Sequence, residues 1–77
     1  MSWNIRVMKH NDTPAWYALH EVYYNDKDKI TMWDTEPIQL VGDTRHELFS
    51  YLIMCLKDMW RCRHDVLDYE MEPEARA

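Results

Sequence analysis

The stretch Gly42-Asp43-Thr44-Arg45-His46-Glu47-Leu48 decides how this chain folds. Thr44 and Glu47 stand three residues apart just before an apolar run, the spacing at which a threonine hydroxyl and a glutamate carboxylate satisfy each other's orphan amides. A helix is therefore expected from Thr44 or Arg45 to about His64. Taken at 100° per residue, its apolar side chains from Leu48 to Cys62 cover about 200°, against the ~100° needed to lie on one sheet face. Ser50, Met54, Lys57, Asp58 and Arg61 hold the opposite side. One sheet face leaves part of this helix uncovered, and the rest needs the Ile38-Leu40-Val41 connection, Val66-Leu67 or another chain.

Upstream of the corner the period changes from helical to alternating. Trp3, Ile5 and Val7 alternate with Asn4, Arg6 and Met8, which reads as a half-buried strand from Trp3 to His10. Asn11-Asp12-Thr13-Pro14 supplies turn residues, and a second strand follows from Trp16 to Tyr24. Its alternation puts Tyr17, Leu19, Glu21 and Tyr23 on one side and Trp16, Ala18, His20, Val22 and Tyr24 on the other. After the polar turn Asn25-Asp26-Lys27-Asp28-Lys29, Ile30-Thr31-Met32-Trp33 completes a meander, which Glu36-Pro37 ends or bends. The expected fold is α+β: a three-stranded antiparallel meander, β-β-β-α, with one long helix packed on the sheet. Residues 1–64 form that domain, and residues 65–77 form an acidic C-terminal extension, either a short second helix or a segment lying over the core.

Length and charge narrow the function. A chain of 77 residues holds one small domain of marginal core, a size that often leans on a partner. A single glycine, Gly42, cannot build a phosphate-cradling loop, which needs several positions without a Cβ. Nine Lys+Arg against 14 Asp+Glu give a net charge of −5, all of it carried by residues 30–77. Asp65, Asp68, Glu70, Glu72 and Glu74 follow one another with no cation between them. The N-terminus has no apolar leader core and no apolar run approaches a membrane span, so a cytoplasmic protein is expected. Cys55 and Cys62 would then be reduced, and on one helix they lie about 10 Å apart, too far for a disulfide.

Catalytic and metal motifs come close and fail. His20-Glu21 and His46-Glu47 each lack the second histidine four residues on, having Tyr24 and Ser50 there. Cys55, Cys62 and His64 lack the paired short spacings of structural zinc, and burial in an apolar stripe raises a thiol pKa instead of activating it. No cofactor, metal or catalytic residue is expected, and the chain reads as a non-enzyme. Arg45, Lys57, Arg61 and Arg63 are too few, in an acidic domain, for direct nucleic-acid binding.

Trp3-Asn4-Ile5-Arg6-Val7, His20-Glu21-Val22-Tyr23-Tyr24, Thr35-Glu36-Pro37, Gly42-Asp43-Thr44 with Glu47-Leu48, and Val66-Leu67-Asp68-Tyr69 together resemble a family of small uncharacterised bacterial proteins. That resemblance spans nearly the whole chain and implies no activity. The Gly42-Asp43-Thr44 corner between meander and helix also resembles the N-terminal domain of HicB antitoxins, a half RNase H-like fold. In size, acidity and lack of catalytic motifs the chain is similar to phage-encoded anti-CRISPR proteins. These readings lead to a protein-binding inhibitor whose acidic surface, Asp65, Asp68, Glu70, Glu72 and Glu74 with Asp34 and Glu36, mimics nucleic acid. Its partner would be a protein with a basic surface, such as a CRISPR effector complex, with Trp33 or Trp60 as aromatic anchors. The alternative is an antitoxin-like or housekeeping interaction module binding through an apolar face. The chain is expected to be a monomer or a weak homodimer, and to bind no membrane.

Overall fold

The computed structural model describes residues 2–75. Strands β1 (Ser2–His10), β2 (Trp16–Tyr24) and β3 (Ile30–Trp33) precede helix α1 (Arg45–Arg61), and a two-residue strand β4 (Leu67–Asp68) follows it. The architecture is α+β with one helix and a four-stranded mixed sheet of order β3-β2-β1-β4. β1 pairs antiparallel with β2 along its whole length, setting Arg6 opposite His20 and Ile5 opposite Glu21. β2 pairs antiparallel with β3, with an irregularity at Tyr23/Tyr24. β4 lies parallel to β1, Met8 beside Leu67 and Lys9 beside Asp68.

The three-stranded antiparallel meander expected from sequence is thus corrected to four strands of mixed direction. A two-residue strand has no period to read, and β4 exists because tertiary contacts hold it. Beyond β3 the chain stays against β2, Asp34 donating its amide to the Glu21 carbonyl and Ile38 to that of Leu19. Between these two bonds the ladder is interrupted at Glu36, just before Pro37, where the Glu36 amide turns to the Asp34 carboxylate instead of β2.

The alternation in β1 and β2 is present, but the better-buried face is the one with more polar side chains. Arg6, Met8 and His10 from β1 and His20 and Val22 from β2 are buried, whereas Trp3 on the other face is half exposed. Met8, Val22, Ile30 and Leu67 form the core cluster, with Tyr24, Trp33, Tyr69 and Met71 packed against it.

Residues 69–75 close this face by crossing from β4 to the far edge of the sheet. Tyr69 donates its amide to the Lys9 carbonyl, and Ala75 donates to the Ile30 carbonyl. The Ile30 amide in turn bonds a Glu74 carboxylate oxygen at 2.9 Å. Both backbone groups of Ile30 on the outer edge of β3 are thereby satisfied, which blunts the start of an edge strand that would invite pairing with another chain.

Helix α1 begins as its cap dictates. Thr44 has extended backbone and its hydroxyl accepts the Glu47 amide. The Glu47 carboxylate reaches back one residue further than a reciprocal box would place it, to the Asp43 amide at 3.0 Å. The helix ends at Arg61, three residues short of the expected His64, with Cys62 donating to the Asp58 carbonyl. It packs along β1, where it buries Cys55 and also Asp58, which moves from its expected place on the polar side to the sheet because its carboxylate takes the Ile5 amide.

Candidate functional site

The helix settles on the sheet through a narrow seam and leaves a wide apolar face uncovered. Asp58 accepts the buried amide of Ile5, fixing α1 to the edge of β1 that β4 does not reach. Cys55 lies on the same side, and burial, followed by the nearby Asp58 charge, pushes its thiol pKa up. Burial likewise raises the pKa of Tyr51, with Cys55 and Glu21 adding to the effect. On the outward side Phe49, Leu52, Leu56 and Trp60 are 62%, 48%, 59% and 67% exposed. Their spacings of three, four and four residues put them in one row along the helix.

Leu56 and Trp60 join Lys57 and Arg61 in lining a shallow groove of about 470 Å³. Arg63 lies over the Trp60 ring, 4.2 Å from its centroid, and also donates to the Trp60 carbonyl, so the indole is held in place. The helix charges are divided by position. Asp58 and Glu47 are both engaged with backbone amides, facing the sheet and the cap. Arg45, Lys57, Arg61 and Arg63 are exposed, and Arg45, Lys57 and Arg61 make no ion pair among the described residues. Residues 45–63 are therefore net positive within a chain of net charge −5.

The acidic residues expected to form a site occupy the sheet-closing segment and its neighbour. Asp65 bonds Arg6, and Asp68 accepts from Asn11 and from the Glu70 amide. Glu74 holds the Ile30 amide, while Glu70 and Glu72 are exposed. The Tyr69 hydroxyl donates to the Thr35 carbonyl at 3.1 Å, which brings this segment beside exposed Asp34 and Glu36. Of the two aromatic anchors, Trp60 stands in the open on α1, and Trp33 is half-buried against the core cluster.

Two polar clusters under the closing segment were not singled out from sequence. Arg6, 6% exposed, donates to the Tyr24 hydroxyl, the Asp65 carbonyl and the Asp65 carboxylate. Burial opposes its charge, but Tyr24, Cys62 and Asp65 outweigh that and raise its pKa. His10 is stacked between Trp16 and Tyr69, at centroid distances of 3.9 and 4.1 Å, and its Nε2 is 2.9 Å from Nε2 of His20. His20 Nδ1 lies 2.8 Å from the Asp34 carbonyl. The only sequence signal was the face these residues share with Met8 and Val22. No group of three or more His, Cys, Asp or Glu among the described residues could hold a metal ion.

No family model, curated protein or solved structure matches this chain. No helix among the described residues is long and apolar enough to cross a membrane. The fold and its surfaces define the class instead: a small α+β domain with an apolar, cation-rimmed helix and a carboxylate-rich segment on the closed face of its sheet.

Proposed function

We propose that this chain is a non-enzymatic protein-binding module whose contact face is the outer side of α1. The exposed row Phe49, Leu52, Leu56 and Trp60 carries the reading. Large apolar side chains clustered on one surface of a small domain are a recurrent mark of a protein interface. Trp60, pinned by Arg63, has the character of a hot-spot anchor.

The test is a Phe49→Ser, Leu56→Gln double variant. Because the row is not part of the core, its melting temperature should stay within a few degrees of the parent. Its crosslinked adducts in a bacterial lysate should fall away. A collapse in melting temperature would make the row structural, and unchanged adducts would place binding elsewhere.

A second reading is favoured by the Tyr69–Thr35 bond, which joins the residue between Asp68 and Glu70 to the residue between Asp34 and Glu36. Such a surface suits an inhibitor that engages a basic nucleic-acid-binding groove, such as that of a CRISPR effector complex, with charge mainly speeding association. Glu70→Gln, Glu72→Gln and Glu36→Gln together should then release the partner and restore its nucleic-acid binding. Association indifferent to salt and to these substitutions would sink this reading.

A further inference from the structure

The outer side of α1 makes two demands on whatever covers it. Phe49, Leu52, Leu56 and Trp60 form an apolar row about 16 Å long at the helical rise. Such a row is matched by a second helix presenting apolar residues at its own i, i+3, i+4 and i+7 positions. The rim is cationic: Lys57 and Arg61 border the groove, Arg63 lies over Trp60, and Arg45 stands at the N-terminal end. The two carboxylates of the helix do not offset this rim, since Asp58 is buried on the Ile5 amide and Glu47 bonds the Asp43 amide.

We propose that the outer face of α1 receives an acidic amphipathic helix of a protein partner, an inference that rests on the protein-binding reading above. Apolar residues of that helix fill the row, and its Glu or Asp residues meet Lys57, Arg61 and Arg63. A second copy of this chain is a poor occupant. Antiparallel packing sets Arg45 against Arg61 and Arg63, and parallel packing sets each cation against its own copy, so like charges meet in either orientation. An anionic lipid surface would find the same row and rim, but would also face a chain of net charge −5.

The experiment titrates the full ¹⁵N-labelled chain with three synthetic amphipathic peptides that share one leucine pattern and differ in having Glu, Lys or Gln on the polar face. The Glu peptide should shift the amides of Phe49, Leu52 and Leu56 and the Trp60 indole. It should bind at least about tenfold more tightly than the Gln peptide, with the advantage shrinking in high salt. A Lys57→Glu, Arg61→Glu variant should reverse the preference toward the Lys peptide while keeping its melting temperature, since both side chains are exposed. Equal binding of all three peptides at these residues would overturn the acidic partner and leave the protein-binding reading standing. No shift with any peptide would overturn the proposal. Shifts produced by phosphatidylglycerol vesicles and by no peptide would overturn the proposal and the protein-binding reading together.

Discussion

Asp58, in the last turn of α1, accepts the backbone amide of Ile5 at 2.9 Å, and both partners are buried. This side chain does for the edge of β1 what a neighbouring strand would do, because β4 pairs only further along, at Met8 and Lys9. Replacing Asp58 by Ala leaves a buried donor with no acceptor, which costs about 1–3 kcal/mol. Asp58→Asn keeps an acceptor oxygen and should cost less. Urea denaturation of both variants measures the difference, and equal losses would mean that charge, and not the bond to Ile5, matters there.

Arg6 and Asp65 should respond unequally to substitution although they form one ion pair. The Arg6 side chain is 7% exposed and that of Asp65 is 76% exposed. Arg6→Ala opens a cavity and takes the donor from the Asp65 carbonyl, while the Tyr24 hydroxyl keeps its bond to Asn4 Oδ1, for about 3 kcal/mol. Asp65→Ala removes a solvent-screened carboxylate and should cost under about 1 kcal/mol. Amide exchange at Leu67 and Tyr69 should quicken sharply in the first variant and little in the second.

That asymmetry bears on how much the sequence discloses. The Thr44 cap, the three longer strands and the excess apolar width of the helix are local or periodic features, and they are legible. The closed face of the sheet is not, because its β1 positions are Arg6, Met8 and His10. Alternation between apolar and polar residues points to Trp3, Ile5 and Val7 instead. Polar residues become core only when distant partners satisfy them, here Asp65 for Arg6 and the Asp34 carbonyl for His20. The same distance effect hides residues 65–75, whose acidic composition reads as an extension while Leu67, Tyr69 and Met71 do the packing. Charge could be located in the sequence, but the separation of a cationic helix face from carboxylates on the sheet required the fold.

Truncation and neutralisation of the C-terminal segment should therefore give different results. Ending the chain after His64 removes Leu67, Tyr69 and Met71 and uncovers Met8, Val22 and Ile30. Loss of the buried Leu67 side chain alone costs about 1.5–3 kcal/mol, and the shortened chain should lose cooperative unfolding. Glu70→Gln with Glu72→Gln changes exposed charge and should leave the melting temperature nearly unchanged. Circular dichroism melts compare the two, and a stable, cooperative truncation would show that the segment does not support the core.

The His10–His20 contact predicts two different ring tautomers. A carbonyl oxygen only accepts, so the bond to Asp34 requires a proton on His20 Nδ1. With both rings uncharged, His20 Nε2 is then bare and accepts the Nε2–H of His10 across 2.9 Å. Long-range ¹H–¹⁵N correlation at neutral pH should show the Nδ1–H form for His20 and the Nε2–H form for His10. The same tautomer in both rings would contradict the arrangement. Tyr69→Ala should weaken the protection of the His10 ring, because it removes one of its two stacking partners.

Gly42 is required for space and not for an unusual backbone angle, as no glycine among the described residues has positive φ. A Cβ there would lie 2.7 Å from the Leu48 backbone nitrogen and 3.2 Å from the Glu47 carbonyl carbon. Neither is the movable end of a side chain, so the corner itself must shift. Gly42→Ala lowers the entropy of the unfolded chain, a gain of about 0.4–1 kcal/mol, against a steric cost of about 1–3 kcal/mol. Net destabilisation is expected. Thr44→Ala, which removes the hydroxyl that accepts the Glu47 amide, should cost about 1 kcal/mol by itself. Both changes loosen the same first turn, so the double variant should lose less than the two single losses together. Strict additivity in denaturant melts would show that the Gly42 contact and the Thr44 cap act on α1 independently.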